Sequence, residues 1–269
     1  MSIITSAALR RDLSERNICR ANEHRHELSY GRIPSVVYLG QGKNHGNFHP
    51  ASYRSICANP NWKKRLEKRY TGSKWLPWPG EQTRCELDCA NSSDALLMNV
   101  FCYPGVVCKP RVCSLLGIEP GLLPMFGFRP RIPLANKLGD QTEVDMKIGD
   151  LLVEAKLTES GFQSRPCRLL YRYRDLQEAF EVSELPIKGG TVRGYQLIRG
   201  VLAAYATNSS FLLICDGRRT DLVDGWFEII RAVRSYSVRN RLKLLTWQEI
   251  AETLPSRLRQ FLDKKYGIS

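Results

Sequence analysis

Apolar and polar residues alternate through 142-TEVDMKIGDLLVEAKLT-158, a period of two that predicts strand rather than helix. Gly149-Asp150 at its centre has the Gly-first composition of a two-residue type II′ turn. That loop pairs Ile148 with Leu151 and Met146 with Val153, and it sets Asp145 directly opposite Glu154. Successive side chains point to opposite faces of a strand. Val144, Met146, Ile148, Leu151, Val153 and Ala155 therefore share a wholly apolar face. Glu143, Asp145, Lys147, Leu152, Glu154 and Lys156 share the other.

The same reading predicts the neighbouring elements. Ser92-Ser93 is an N-cap pair before an apolar helix over 94–102. A strand over 128–134 contains two prolines, which demote it to an edge or a loop. A helix over 194–206 carries Leu197, Val201, Leu202 and Tyr205 at helical spacing. A buried strand over 210–216, a helix over 222–236 and a strand over 242–247 follow. Residues 247–267 read as helix interrupted by Pro255. This alternation after residue 190 argues for an α/β sheet covered on both faces. Upstream, 5–24 predicts a helix with Leu9, Leu13 and Ile18 on one stripe, 35–39 a short strand, and 51–70 a helix broken near Pro60. Residues 72–83 read as an ordered loop anchored by Trp75 and Trp78. The expected organisation is a basic, helical and irregular extension over 1–80 that packs on the core or grips a substrate, then a main domain over 81–269.

A half-buried hairpin with a wet, salt-bridged outer face explains the alternation equally well. It does not explain Asp145 against Glu154, because like charges directly opposed across a ladder are destabilising. A hard divalent cation removes that cost by taking carboxylate oxygens alongside waters. Lys156 on the same face could then orient a metal-bound water or stabilise charge on a phosphate.

Asp145, eight intervening residues and Glu154-x-Lys156 across an apolar hairpin together resemble the PD-(D/E)xK nuclease superfamily, which has the restriction-endonuclease-like fold. The resemblance spans roughly residues 86–247. It implies an αβββαβ core, a mixed central sheet flanked by helices, and Mg²⁺- or Mn²⁺-dependent hydrolysis of phosphodiesters. Asp145, Glu154 and the Ala155 carbonyl would be metal ligands, and Lys156 would position the attacking water. Gln196 occupies the place where many members carry a glutamine or lysine facing the active site. Some members add an acid from the first core helix; Glu86, Asp88 and Asp94 are the candidates. The superfamily's leading Pro-Asp dipeptide is absent, since Val144 precedes Asp145.

Charge fits a nucleic-acid substrate: 40 Lys+Arg against 27 Asp+Glu give a net +13, the usual footprint of a phosphate-backbone binder. Basic residues cluster at 63–69, from Arg165 to Arg174, and from Arg231 to Lys243, with Trp62, Tyr70, Tyr171, Tyr173 and Tyr236 interleaved. Each run can also be read as a solvated helix face. Arg165, Arg168, Arg172 and Arg174 matter most, because they directly follow the ExK strand. DNA is the expected polymer and RNA the alternative. A binding module without hydrolysis and an interaction protein with an incidental hairpin are the competing classes, and a homodimer is one open assembly.

Nine cysteines without a secretory signal argue for reduced thiols. Cys85, Cys89, Cys102, Cys108 and Cys113 fall close together, and some superfamily members carry iron–sulfur clusters. The spacings lack the paired CxxC of zinc sites, so neither zinc nor iron–sulfur is expected. His24, His26, His45 and His49 are assigned no site. The longest uncharged stretch, Ala95 to Cys108, is too short to span a bilayer, and a cytoplasmic protein is expected.

Overall fold

Five short apolar runs form the central sheet: β1 (Met125–Phe128), β2 (Val144–Ile148), β3 (Leu151–Ala155), β4 (Ser210–Cys215) and β5 (Leu242–Thr246). They lie in the order β5-β4-β3-β2-β1. Our computed structural model describes residues 4–29, 34–69 and 85–269. The loop expected over 72–83 with Trp75 and Trp78, and Tyr70 beside the first basic run, lie outside the described residues.

Gly149 takes φ 55°, the positive value that the first position of a II′ turn requires. The register is Met146↔Val153, Lys147↔Leu152 and Ile148↔Leu151, antiparallel, as the alternation predicts. β3 and β4 run parallel, as do β4 and β5, so the sheet is mixed. A parallel pair needs a crossover. The helices α1 (Tyr195–Ala206) and α2 (Thr220–Arg231) supply it after β3 and β4 respectively. Both pack into one apolar cluster with Leu152, Phe211, Leu213 and Cys215. The opposite face, with Met146, Ile148, Leu151, Val153, Leu212 and Ile214, is buried as well. This is a mixed α/β sheet flanked by helices, consistent with a restriction-endonuclease-like fold. Gly200 lets α1 press onto β4: a Cβ there would meet the Phe211 ring at 2.2 Å.

Several expectations need correction. The strand placed at 128–134 lies at Met125–Phe128; Ile132–Pro133 forms only a two-residue pairing with Gly139–Asp140. Proline lacks the ladder donor, so pairing stops ahead of Pro130. The helix expected to run to 236 ends at Arg231. Val144 joins the α1–α2 cluster rather than the opposite face, since the β2–β3 ladder ends at Met146.

Contacts divide the chain into one unit built on Phe126–Thr246 and another made of Thr5–Met125 with Trp247–Ser269. The sequence-based boundary near residue 80 falls inside the second unit, as does the helix Ser93–Phe101, capped by Ser92 as expected. In that unit the helix Ser6–Ala21 buries Leu9 and Leu13, but Ile18 is 38% exposed. Asn17, one turn after Leu13, takes the inward place. Its Nδ2 donates to the Leu13 and Lys265 carbonyls at 2.7 and 3.2 Å, and its Oδ1 accepts from Lys265 Nζ and the Tyr38 hydroxyl at 2.7 and 3.0 Å.

His49 caps the helix Pro50–Ala58, its Nδ1 accepting from the Ala51 amide at 3.1 Å. Only an unprotonated nitrogen can accept. Burial and the nearby Arg54, Arg20 and Arg257 hold His49 below the usual histidine range. The unfolded chain therefore binds the proton first, and stability falls as pH drops below about 6.5. His49→Asn, which caps without titrating, is expected to flatten the decline in Tm on that acid limb. An unchanged limb would show that the cap does not titrate.

Candidate active site

The edge of the hairpin farthest from its turn is where the charge collects. One step past the Met146↔Val153 pair, the Asp145 carboxylate accepts from the Ala155 amide at 2.8 Å. Lys156 Nζ donates to Glu154 Oε1 at 2.5 Å. Glu154 and Lys156 are each only 5% exposed, so the charged face of the hairpin is dry along β3, while Asp145 and Lys147 of β2 are half-buried. Leu152 and Glu154 pair with Phe211 and Leu213 of β4, whose side chains lie in the cluster under α1 and α2. Burial works against the Lys156 charge, but Glu154, Glu159 and Asp145 outweigh it and hold the ammonium above the ordinary lysine range. A buried carboxylate and a buried, charged lysine thus lie beside the half-buried Asp145 carboxylate.

Two partners escaped the sequence reading. Glu159 folds back, its Oε2 accepting from the Leu157 amide at 2.6 Å. Arg219, completely buried, donates to the Leu157 and Glu159 carbonyls at 3.3 and 2.8 Å and pairs with Asp221 at 2.8 Å. It clamps the chain as it leaves Lys156. Glu159 is three residues past Lys156 and could have been nominated from proximity. Arg219 offered no signal, since nothing distinguishes it from Arg218 in the turn after β4.

Gln196 lies half-buried in the first turn of α1, its amide donating to the Phe162 carbonyl at 3.0 Å; the Tyr195 amide donates to Gln163 at 3.1 Å. These bonds dock the segment leaving β3 on the start of α1. Beside them Tyr173 donates to Asp140 at 2.6 Å and lies 3.0 Å from the Tyr195 hydroxyl. Tyr173, expected to be available for stacking, is buried at 4% exposure, whereas Tyr171 is exposed. Arg165, Arg168, Arg172 and Arg174 are all exposed; Arg165 bonds Gln163 and Arg174 bonds Asp175.

The upstream acids belong to the other unit, and each has a local basic partner. Asp94 pairs with Arg65 at 2.9 Å and Lys68 at 2.7 Å, Glu86 with Lys68 at 3.1 Å, and Asp88 with His45 at 3.1 Å. The first basic run therefore spends Arg65 and Lys68 on internal ion pairs. In the third run Arg239 and Arg241 donate to backbone carbonyls. The cysteines carry free thiols, with Cys89, Cys102 and Cys113 buried, Cys85 partly buried and Cys108 exposed.

No helix among the described residues is long and apolar enough to cross a membrane. No curated protein and no solved structure matches the chain. A family model described as Restriction Endonuclease associating with ARP matches residues 19–267, and the protein therefore belongs to that restriction-endonuclease-like family.

Proposed function

We propose that the protein is a metal-dependent nuclease that hydrolyses phosphodiester bonds in DNA. The observation that carries this reading is the buried pair Glu154 and Lys156 with the half-buried Asp145 beside it, the lysine held in its charged form. Removing ionised groups from water is costly, a structural hairpin has no need of them, and such groups cluster at functional sites.

Among the described residues no group of three or more His, Cys, Asp or Glu side chains converges to hold a metal. A site of two carboxylates, a carbonyl and several waters suits Mg²⁺ or Mn²⁺ better than zinc or an iron–sulfur cluster. A carboxylate offers about four acceptor sites, so Asp145 and Glu154 retain capacity beyond their N–H partners. The donor set fits, with Asp145, Glu154 and the Ala155 carbonyl as ligands. When bound, the cation supplies Lewis-acid stabilisation of the phosphate and a more acidic water. Lys156 orients that water and offsets charge on the phosphate. Glu159 and Arg219 fix the strand that presents Lys156. Gln196, in the first turn of α1, faces the same task of orienting the phosphate, and the exposed arginines after β3 hold the polymer.

The test incubates the protein with plasmid, linear duplex, single-stranded DNA and RNA in Mg²⁺, Mn²⁺ or EDTA, with Asp145→Ala alongside. Cleavage of DNA that needs metal and is lost in the variant is the expected result. Cleavage of RNA alone would transfer the reading to that polymer. Salt-sensitive binding without cleavage would leave a binding module on the same fold, and neither binding nor cleavage would sink the nucleic-acid reading.

A further inference from the structure

Between Lys156 and α1 the chain builds a small antiparallel sheet from Ser164–Pro166, Ile187–Lys188 and Thr191–Arg193, with Thr191–Arg193 in the middle. The register Thr191↔Pro166, Arg193↔Ser164 and Thr191↔Lys188 puts Ser164, Pro166, Lys188, Thr191 and Arg193 on one face. Every one of them is exposed, while Val192 on the reverse face is fully buried. Val192 anchors the reverse face, and the other face is exposed.

Three features say what that face meets. None of the residues in the three strands is acidic. Gly189 and Gly190, at φ 55° and 72°, form an open tip where an added Cβ would find nothing within 4 Å, so backbone there can come close to a partner. The Cys167 amide donates to the Gly190 carbonyl at 2.9 Å, which ties the short helix Cys167–Leu170, carrying the exposed Arg168, to the tip. Arg193 is already engaged by Glu228 at 2.7 Å, and Arg165 lies opposite Val192 on the reverse face, so Lys188 and Arg168 are the cations to consider. The base is tied to the catalytic strand's exit through Phe162 and Gln163, whose carbonyls accept from Gln196 and Tyr195.

The geometry points to a β-wing that grips the phosphate backbone of duplex DNA beside the proposed cleavage site, with Lys188 and Arg168 as its contacts and the Gly189-Gly190 tip as its point of closest approach. The inference rests on the nucleic-acid reading above and names the surface that delivers the duplex. The hairpin of Ile187–Lys188 and Thr191–Arg193, with its narrow, side-chain-free tip and flanking cations, matches the groove and backbone of a B-form duplex.

Binding is measured by fluorescence anisotropy on a labelled duplex in EDTA, across a salt series, for the wild type and for Arg168→Gln/Lys188→Gln. Both positions are exposed, and circular dichroism checks that the fold is kept. Losing two phosphate contacts should make the slope of log K against log salt shallower by about 2 and weaken binding by roughly tenfold at moderate salt. Lys188→Arg should keep wild-type affinity. Unchanged affinity and slope in the double variant would overturn the inference, and so would a wild type that binds single strands or RNA but no duplex. Wing-dependent duplex binding by a wild type that never cleaves in Mg²⁺ upholds the wing and removes the nuclease reading. Cleavage with wing-independent binding does the reverse.

Discussion

Lys156→Met is expected to cost about 3–5 kcal/mol of stability, because removing one member of a buried pair strands the other's charge, and to slow cleavage on the order of 10³-fold, as loss of a preorganised charge at the reacting phosphate does. Glu154, at 5% exposure and 2.5 Å from the ammonium, is the group left behind. The two effects separate in Glu154→Gln/Lys156→Met. Replacing both partners removes the uncompensated charge, so urea unfolding should return to within about 1 kcal/mol of wild type. Cleavage should stay absent, because neither the ligand nor the lysine has been restored. A Lys156→Met protein as stable as wild type would mean that the pair is solvated in solution. Recovery of cleavage in the double variant would remove both residues from the chemistry.

Lys265→Met is expected to stabilise the protein, by about 1–4 kcal/mol by analogy with buried ionic groups replaced by apolar ones. Lys265 is completely buried in the helix Ser256–Tyr266. Its Nζ donates to Asn17 Oδ1 at 2.7 Å and lies 4.8 Å from the Tyr38 and Tyr266 rings. The rings attract a cation, yet burial and then Arg20 push the amine well below the ordinary lysine range. Desolvation dominates, since the amine's direct partners are an amide oxygen and two rings rather than a carboxylate. The sign follows: an amine whose folded pKa is depressed leaves the unfolded chain holding more protons. This contribution to stability is full above about pH 10.4 and is lost as pH falls toward the folded pKa. Met deletes that slope, so Tm should rise and vary less between about pH 7 and 10. Asn17 Oδ1 keeps the Tyr38 hydroxyl at 3.0 Å, so no buried acceptor is orphaned. A lower Tm in the variant would show that the amine is charged and well compensated.

The hairpin was legible in the sequence because everything that specifies it is local: a Gly-first turn and a period-two alternation within 142–158. The strands 210–215 and 242–246 and the helix 195–206 were legible for the same reason. Where tertiary contacts decided, the reading slipped. Ile18 gave its expected inward place to Asn17, a polar residue that becomes inward only because Lys265 and Tyr38 supply partners. Asp94 was one of three candidate site acids, and nothing local in the sequence showed that Arg65 and Lys68 pair with it. At the candidate site Asp145, Glu154 and Lys156 could be put on one hairpin from the alternation, although the paired register stops at Met146↔Val153 and Asp145 instead accepts from the Ala155 amide. The Arg219 clamp could not, because it joins residues about sixty positions apart.

The division of the chain also has a consequence for the order in which the parts can be finished. Phe126–Thr246 is inserted between two pieces of the other unit. Synthesis proceeds at roughly 5–20 residues per second from the N-terminal side. The strands that bear Asp145 and Glu154, and Lys156 directly after them, are therefore synthesised before Ser256–Tyr266 exists. Until that helix is made, Asn17 Oδ1, which accepts from the Tyr38 hydroxyl, lacks its second donor, Lys265 Nζ. The helix Ser6–Ala21 thus depends for its buried polar contacts on a lysine 248 positions further along the chain.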